Sequence, residues 1–205
     1  IANKSNKIKA IQVDITDVDS VNKAFVKASL TAPITILINN AGKAFSAPFH
    51  KTSFDEWEKI IAVNLTGIYL TISAVLTEVN QAKHGRIINI ASISGLDGAA
   101  YTSAYSASKH GVIGLMKSLA CELSKVNTTI NSICPAFVNT DIVEKAIINI
   151  MNITGRSRET ALQSILDTTG QSKLIEPEEV ALKVIKLCIS NKHTKSVKNI
   201  NVLCI

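Results

Sequence analysis

One stretch, GRIINIASISGLDGAAYTSAYSASK at 85–109, constrains the fold more than any other part of the chain. Its β-branched beginning, IINI, predicts a short strand. A loop with two glycines follows, and a helix is predicted to begin near Ser103. Ser92 falls at the carboxyl end of the strand, which is where open α/β sheets bind ligands. The stretch therefore predicts a strand–loop–helix unit with a ligand site at its middle.

Two residues of the predicted helix, Tyr105 and Lys109, are spaced i, i+4 and share one helix face. A tyrosine with its usual pKa of about 10 is a poor acid–base catalyst at neutral pH. An ammonium group one turn away favours the phenolate and lowers that pKa. Tyr-x-x-x-Lys by itself is a weak motif, and the alternative is an ordinary surface pair. The surrounding motifs favour the catalytic interpretation.

These motifs follow one another in a fixed order along the chain. Asn39-Asn40-Ala41-Gly42 ends an apolar run, Asn64 lies within a predicted helix, and NSICPAFVNT occupies 131–140. In this order the chain resembles the short-chain dehydrogenase/reductase family over essentially its whole length. The resemblance implies an α/β fold, a Rossmann-like doubly wound parallel sheet in three αβα layers. It also implies one domain over 1–205, with a substrate lid at about 140–170.

The glycine-rich turn of that family, T-G-x-x-x-G-x-G on a first strand–helix unit, does not occur in this sequence. That unit supplies the pyrophosphate site at a helix N-terminus. We therefore expect an N-terminally truncated domain that lacks about one βαβ unit. A strand is predicted over 8–14, but without that unit it has no neighbour beside the strand predicted over 34–40.

The remaining elements are predicted from apolar periodicity and from helix start and stop signals. The apolar run at 34–40 is typical of a parallel strand that is buried on both faces. A helix opened by Thr16 or Asp17 is predicted at 18–30, and a second helix runs from Ser53 past Asn64 toward Lys83, with a break near 65–67. The later elements are a helix at 103–125, a strand at 128–134, two helical pieces over 141–170, a helix at 176–188 and a last buried strand, NINVLCI.

The resemblance assigns four catalytic residues. Tyr105 is the general acid/base, and Lys109 lowers its pKa and binds the nicotinamide ribose hydroxyls. Ser92 positions the reacting oxygen. Asn64 deforms its helix and holds a water of the proton relay. Together they imply protonation of a ketone oxygen while a cofactor delivers hydride.

The resemblance also assigns cofactor contacts, with NAD and NADP both left open. It places Asp14 and Ile15 beside the adenine, and Asn40, Ala41 and Gly42 along the dinucleotide. It places Pro135, Val138 and Thr140 at the nicotinamide. Tyr105 and Lys109 also contact the cofactor. The alternative for the Asp14 region is a simple helix cap before 18–30. Ala136 stands where the family has glycine.

The lid sequence resembles the bacterial D-3-hydroxybutyrate dehydrogenase branch. At the positions that bind the substrate carboxylate, Ala44, Ser94 and Thr102 replace glutamine, histidine and lysine. A 3-oxoacyl thioester or a neutral ketone is therefore as well supported as a free 3-oxo or 3-hydroxy acid. The expected activity is NAD(P)-dependent interconversion of a ketone and a secondary alcohol. The alternative is a degenerate family member that acts as a nucleotide-sensing or scaffolding subunit.

Composition limits the partners and the location. The chain is 46% hydrophobic and 19% charged, which is typical of a globular protein. Its net charge of +6 comes with dispersed lysines and 4% aromatic residues, so we expect no nucleic-acid partner. No apolar run approaches the roughly 20 residues of a membrane span, so no membrane association is expected. The four histidines lack metal-ligand spacing, and no metal is expected.

The four cysteines lack C-x-x-C spacing and lie in apolar segments, so they are predicted to be reduced core thiols of a cytoplasmic protein. Small and apolar faces on the helices around 66–82 and 104–124 favour packing between subunits. As in the family, a homodimer or homotetramer is expected. The alternative for these faces is packing within one subunit.

Overall fold

The computed structural model describes residues 8–190 and a strand at 202–204. In that part of the chain, four parallel strands form one sheet in the order β1-β2-β3-β4. The strands are β1 (Ile36–Asn39), β2 (Gly85–Ile90), β3 (Thr128–Cys134) and β4 (Val202–Cys204). The helices are α1 (Val18–Ser29), α2 (Phe54–Ile61), α3 (Gly67–Gln81), α4 (Ser103–Glu122), α5 (Asp141–Thr154), α6 (Arg158–Asp167) and α7 (Pro177–Ile189).

Helices cover both faces of the sheet, and this confirms the predicted three-layer α/β fold. On one face, α1, α3 and α4 pack around a large core that includes Leu37, Val75 and Ile87. On the other face, Val180 of α7 packs against Ile88 and Ile133. Along β2, successive side chains enter the two cores in turn, because successive side chains of a strand point to opposite faces. The sheet therefore fixes the positions of the loops that follow each strand.

Helices α5 and α6 form a separate pair within the predicted lid region. Their contact is built from Val143 and Ile147 of α5 and from Ala161 and Ile165 of α6. Gly155 ends α5 with φ 69°, a left-handed conformation that glycine adopts at low cost. The two predicted helical pieces are thereby confirmed, whereas their role as a lid stays a prediction.

The strand predicted over 8–14 is wrong, since these residues form no strand. A strand needs a hydrogen-bonded neighbour, and the described sheet ends at β1. The prediction that β1 is buried on both faces is also wrong. Leu37 is buried, but Ile36 and Ile38 are 37% and 45% exposed because no described helix covers that face at the sheet edge.

The helix boundaries agree with the predictions to within a few residues. Asp17 rather than Thr16 caps α1, and its side chain accepts a hydrogen bond from the Asp19 backbone N–H. Helix α7 begins with a capping box between Glu176 and Glu179. The break expected near 65–67 is a π-helical turn at Ala62–Thr66, which joins α2 to α3 without interrupting the helix.

This continuous helical stretch, Phe54–Gln81, is long and apolar enough to cross a membrane by length and composition, and an 18-residue window within it has a mean hydropathy of 1.8. The core helix of a globular protein passes the same test, so the feature is weak evidence for a span. In the fold, Ile68, Ile72 and Val79 of this stretch are buried in the core beneath the sheet. The apolar character of the stretch is therefore used for packing within the domain.

Within the described residues, Cys121, Cys134 and Cys188 form no disulfide, but they are not all in the core. Cys134 is buried and Cys188 is half-buried. Cys121 is exposed near the end of α4, so the prediction of a core thiol is wrong there. The side chain of Cys204 lies outside the described residues.

Candidate active site

The carboxyl ends of β1, β2 and β3 meet the N-terminal half of α4, and this edge brings together the predicted catalytic residues. Ser92 follows β2 with an extended backbone and is 8% exposed. Its hydroxyl oxygen accepts a hydrogen bond from the Ser94 backbone N–H at 3.1 Å. The Ser92 side chain lies close enough to the Tyr105 phenol to lower the pKa of that phenol against the larger effect of burial. The sheet edge and α4 thus place two hydroxyl groups side by side.

Lys109 lies one turn beyond Tyr105 and is 4% exposed. Its ammonium Nζ donates a hydrogen bond to the Ile90 carbonyl at 3.0 Å. The same atom lies 5.7 Å from the centroid of the Tyr105 ring. The end of β2 therefore holds the lysine beneath the aromatic ring, and the two side chains share one helix face as predicted.

Burial controls the ionisation of this pair. It lowers the pKa of Lys109 to about 8, so the ammonium is still mostly protonated at neutral pH. It raises the pKa of the Tyr105 phenol, and the hydrogen bond with Ser92 opposes that rise. Lys109 is not among the causes of this shift, and the expectation that it lowers the pKa of Tyr105 stays a prediction. The phenol is protonated at neutral pH and can donate a proton.

Asn64 lies at the centre of the π-helical turn and is fully buried. Its Oδ1 accepts a hydrogen bond from the Lys43 N–H, and its Nδ2 donates to the Lys43 carbonyl, both at 2.8 Å. Nδ2 also donates to Ser108 Oγ at 3.0 Å. Both amide hydrogens are thus donated to protein atoms. The role of Asn64 in holding a relay water stays a prediction. Since both Nδ2 hydrogens are already donated, a water would have to bind to a different atom of Asn64.

The Asn39–Gly42 motif turns beside Lys109. Asn39 is buried and donates to Asn89 Oδ1 on the neighbouring strand at 2.8 Å, whereas Asn40 and Ala41 are exposed. A Cβ placed on Gly42 would lie 3.4 Å from Asn64 Oδ1 and 3.7 Å from Lys109 Nζ. The structure therefore brings this predicted cofactor turn next to two of the predicted catalytic residues, Asn64 and Lys109.

The other predicted cofactor residues lie around the same edge. Pro135 is buried after β3, and its carbonyl accepts a hydrogen bond from the Ile93 N–H at 3.0 Å. Val138 pairs with Ile175 in an isolated bridge. Thr140 is exposed just before α5, and its hydroxyl donates to the Val138 carbonyl at 3.2 Å. The contacts of these residues with a nucleotide stay predictions.

Asp14 and Ile15 are engaged in local structure. The Asp14 carboxylate accepts hydrogen bonds from the Thr16 N–H at 2.8 Å and from its hydroxyl at 2.7 Å, and these bonds lower the pKa of the carboxyl group. Ile15 packs against Gly67, where an added Cβ would lie only 2.9 Å from Ile15 Cδ1. The turn before α1 accounts for both residues, and their predicted contact with adenine stays untested.

The three predicted substrate residues are neutral and lie on loops around the site. Ser94 and Thr102 are half-buried and Ala44 is exposed. The Thr102 hydroxyl donates to the Ala99 carbonyl at 2.8 Å. The loop of Ala44 is tied to the turn before α4 because the Ala47 N–H donates to the Tyr101 carbonyl at 2.9 Å. Their predicted role in substrate binding remains a prediction.

Sequence reasoning missed two residues that shape this site. A Cβ on Gly95 would lie 2.8 Å from the Lys109 carbonyl oxygen, so the turn after Ser92 rests directly on the backbone of α4. Ser108 is fully buried between Tyr105 and Lys109 and contacts Asn64. For Ser108, the available signal was its i+3 spacing from Tyr105, which places it on the buried side of the helix.

The fold and this edge define a Rossmann-like α/β protein with a buried Ser–Tyr–Lys constellation. Residues 1–149 match the family model described as short chain dehydrogenase, and the chain belongs to that family.

The chain is 40% identical over 148 residues to a D-beta-hydroxybutyrate dehydrogenase of Rhizobium meliloti (strain 1021), a match that covers 71% of this chain and 57% of that relative. It is 35% identical over 190 residues to a 3-oxoacyl-acyl-carrier-protein reductase of Aquifex aeolicus (strain VF5), with 92% of this chain and 72% of the relative covered.

Among solved structures, an actinorhodin polyketide ketoreductase variant with NADPH superimposes with a TM-score of 0.82 at 28% identity. That match covers 94% of this chain and 74% of the other chain.

Proposed function

We propose that this chain is an NAD(P)-dependent oxidoreductase that interconverts a ketone and a secondary alcohol. The observation that carries the proposal is the meeting of Ser92, Tyr105 and Lys109 at the sheet edge, with the Lys109 ammonium 5.7 Å from the centroid of the tyrosine ring. Membership of the short chain dehydrogenase family supports it. The cofactor, when bound, supplies the hydride for reduction or accepts it for oxidation.

In the reductive direction, Tyr105 donates its phenolic proton to the carbonyl oxygen of the substrate. Burial keeps the pKa of this phenol high, so the proton is present at neutral pH. Ser92, at the end of the neighbouring strand, holds the same substrate oxygen through its hydroxyl group. In the oxidative direction, the two groups act in reverse, and Tyr105 receives the proton of the alcohol.

Lys109 contributes a buried positive charge and hydrogen-bond donors. Its charge stabilises the phenolate that remains after Tyr105 has donated its proton. An ammonium has three donors, and the Ile90 carbonyl accepts one of them. The residues present fit a nicotinamide nucleotide: Lys109 would hold ribose hydroxyls, and Asn40, Ala41 and Gly42 would lie alongside it.

For the substrate we propose a 3-oxo or 3-hydroxyacyl compound, with an acyl thioester favoured over a free acid. A free carboxylate needs a cationic or strong hydrogen-bonding partner when it is desolvated. Ala44, Ser94 and Thr102 supply no charge at the positions that would receive it. Relatives at 35–36% identity include acetoacetyl-CoA reductases, and this supports the thioester.

The test is binding followed by turnover. NADH and NADPH are titrated separately into this chain and into a fusion in which a glycine-rich strand–helix–strand unit of the family's pattern precedes residue 1. Acetoacetyl-CoA and acetoacetate are then assayed as substrates. Turnover of acetoacetyl-CoA that Tyr105→Phe abolishes is the expected result. Absence of nucleotide binding in both proteins would overturn the proposal and favour the scaffolding alternative.

We also propose a cytoplasmic homodimer or homotetramer that assembles through α3 and α4. Tyr69 on α3 is 55% exposed, and Gly114 on α4 has open space at its Cβ position. Free thiols at Cys121, Cys134 and Cys188 fit a reducing compartment. Light scattering should give a mass of two or four chains, and Gly114→Arg should reduce it to one.

A further inference from the structure

A single buried hydroxyl, that of Ser108, connects helix α4 to the π-helical turn in the candidate active site. Ser108 has no exposed surface. Its hydroxyl donates to the Tyr105 carbonyl at 2.7 Å and accepts from Asn64 Nδ2 at 3.0 Å. The same residue therefore bonds the backbone of the proposed catalytic tyrosine and the amide of the π-helical turn.

The direction of these bonds is fixed by the number of hydrogens. A serine hydroxyl has one hydrogen, and here the Tyr105 carbonyl accepts it. Ser108 Oγ can then only accept from Asn64, so the Nδ2 end of the amide must face α4. The Oδ1 end consequently faces the Lys43 N–H. The Lys43 backbone already requires this orientation, because its N–H needs Oδ1 and its carbonyl needs Nδ2, and Ser108 reinforces it by accepting the second Nδ2 hydrogen.

The oriented amide holds both polar backbone groups of Lys43, each at 2.8 Å. The preceding residue, Gly42, lies beside Lys109, since a Cβ there would be 3.7 Å from Nζ. The turn that follows β1 is therefore held at a fixed distance from the catalytic lysine. This distance decides whether one nucleotide can contact both groups.

We propose that Ser108 is a positioning residue that fixes the Gly42–Lys43 turn against α4 by way of the Asn64 amide. Its consequence for turnover rests on the proposed function, whereas its effect on the turn does not. Without the hydroxyl, one Nδ2 hydrogen of Asn64 faces a site that is closed to water and has no acceptor. This unsatisfied buried hydrogen destabilises the bonded arrangement of the amide, so its hold on Lys43 weakens.

Amide hydrogen exchange measured by NMR tests this without any substrate. In Ser108→Ala, the Lys43 N–H should exchange about tenfold faster than in the unchanged protein, as expected for one lost buried hydrogen bond. The matched control is Ser132→Ala, another fully buried serine, whose hydroxyl has no hydrogen-bond partner within the described residues. This control should leave exchange at Lys43 unchanged. If Ser108→Ala does not fold, Ser108→Cys keeps the size with a weaker acceptor and should give a smaller acceleration.

A double-mutant cycle shows whether Ser108 acts through Asn64. In an Asn64→Ala background, adding Ser108→Ala should change the Lys43 exchange rate by less than about twofold. Where turnover is present, Ser108→Ala should weaken nucleotide affinity about tenfold and leave KM for the carbonyl substrate unchanged. Unchanged exchange at Lys43 in Ser108→Ala overturns this inference, whereas absence of turnover in every protein overturns only the proposed function.

Discussion

The Lys109 ammonium faces the ring of Tyr105 at 5.7 Å from its centroid, and it donates its hydrogen bond to the Ile90 carbonyl at 3.0 Å. The lysine is thus anchored on the strand end and not on the phenol oxygen. Its charge reaches the phenol through a low-dielectric interior, where electrostatic interactions are stronger than in water. The Ser92 side chain, in contrast, acts on the phenol from the end of β2 and lowers its pKa.

The first prediction concerns the proton donor. Tyr105→Phe removes the phenolic proton and keeps the ring, so turnover should fall by about 10²–10⁴-fold while the fold stays intact. Turnover is measured with acetoacetyl-CoA in the fusion protein, and the fold is checked by circular dichroism. Turnover within twofold of the unchanged protein would show that another group supplies the proton.

The second prediction follows from the buried lysine. The folded pKa of Lys109 is about 8 against 10.5 for an exposed lysine, so between these values the unfolded chain binds more protons. The free energy of unfolding should therefore rise with pH in this window, by about 3 kcal/mol in total from this residue. Lys109→Met should remove that rise and should stabilise the protein at pH 7.

Urea denaturation at pH 7, 8, 9 and 10 measures this dependence. The control is Lys117→Met, an exposed lysine on the same helix, which should keep the full rise. Burial raises the pKa of Tyr105, so its ionisation lowers stability only above about pH 10, outside the measured range. Parallel pH curves for Lys109→Met and the unchanged protein would contradict the prediction.

The third prediction concerns the turn that carries Ser92. In Gly95→Ala, the new Cβ would lie 2.8 Å from the Lys109 carbonyl oxygen, so the turn must move away from α4. We expect a loss of about 1–3 kcal/mol in stability and reduced turnover, because Ser92 moves with the turn. Gly98→Ala in the same loop is the control, since a Cβ there meets nothing within 4 Å. Equal effects of the two substitutions would refute the close-packing argument.

The fourth prediction concerns the buried Arg86, which is 1% exposed. Its guanidinium donates to the Ser190 carbonyl at 2.6 Å and contacts His84 Nδ1 at 2.9 Å, while His84 Nε2 contacts the Cys188 carbonyl at 2.7 Å. Because arginine only donates, Nδ1 must accept and Nε2 must carry the hydrogen. Positive charge at the end of α7 also suits the helix dipole.

Arg86→Met should therefore lower the free energy of unfolding by about 2 kcal/mol, because buried carbonyl groups lose their donors. Urea denaturation measures the loss, and hydrogen exchange should show faster opening at the last turn of α7. Lys83→Met, an exposed neighbour, is the control and should have little effect. A stability equal to that of the control would mean that water replaces the guanidinium.

Much of the site could be predicted because its residues stand close together in the chain. Tyr105 and Lys109 share a helix face by local geometry alone. Ser92 follows a strand that its β-branched residues predict without reference to the rest of the fold. Asn64 was found as a polar residue in an apolar helix. Its partners could not be predicted, since Lys43 and Ser108 are distant in sequence and meet it only in the fold.

The sequence by itself determined the helices, the positions of the four described strands, and the residues at the sheet edge. These depend on short-range periodicity, capping and turn chemistry, which act within a few residues. The tertiary structure alone decided that 8–14 is not a strand, that Ile36 and Ile38 are partly exposed, and that burial raises the pKa of Tyr105. Each of these depends on which distant groups pack alongside, and strand pairing and desolvation arise only from that packing.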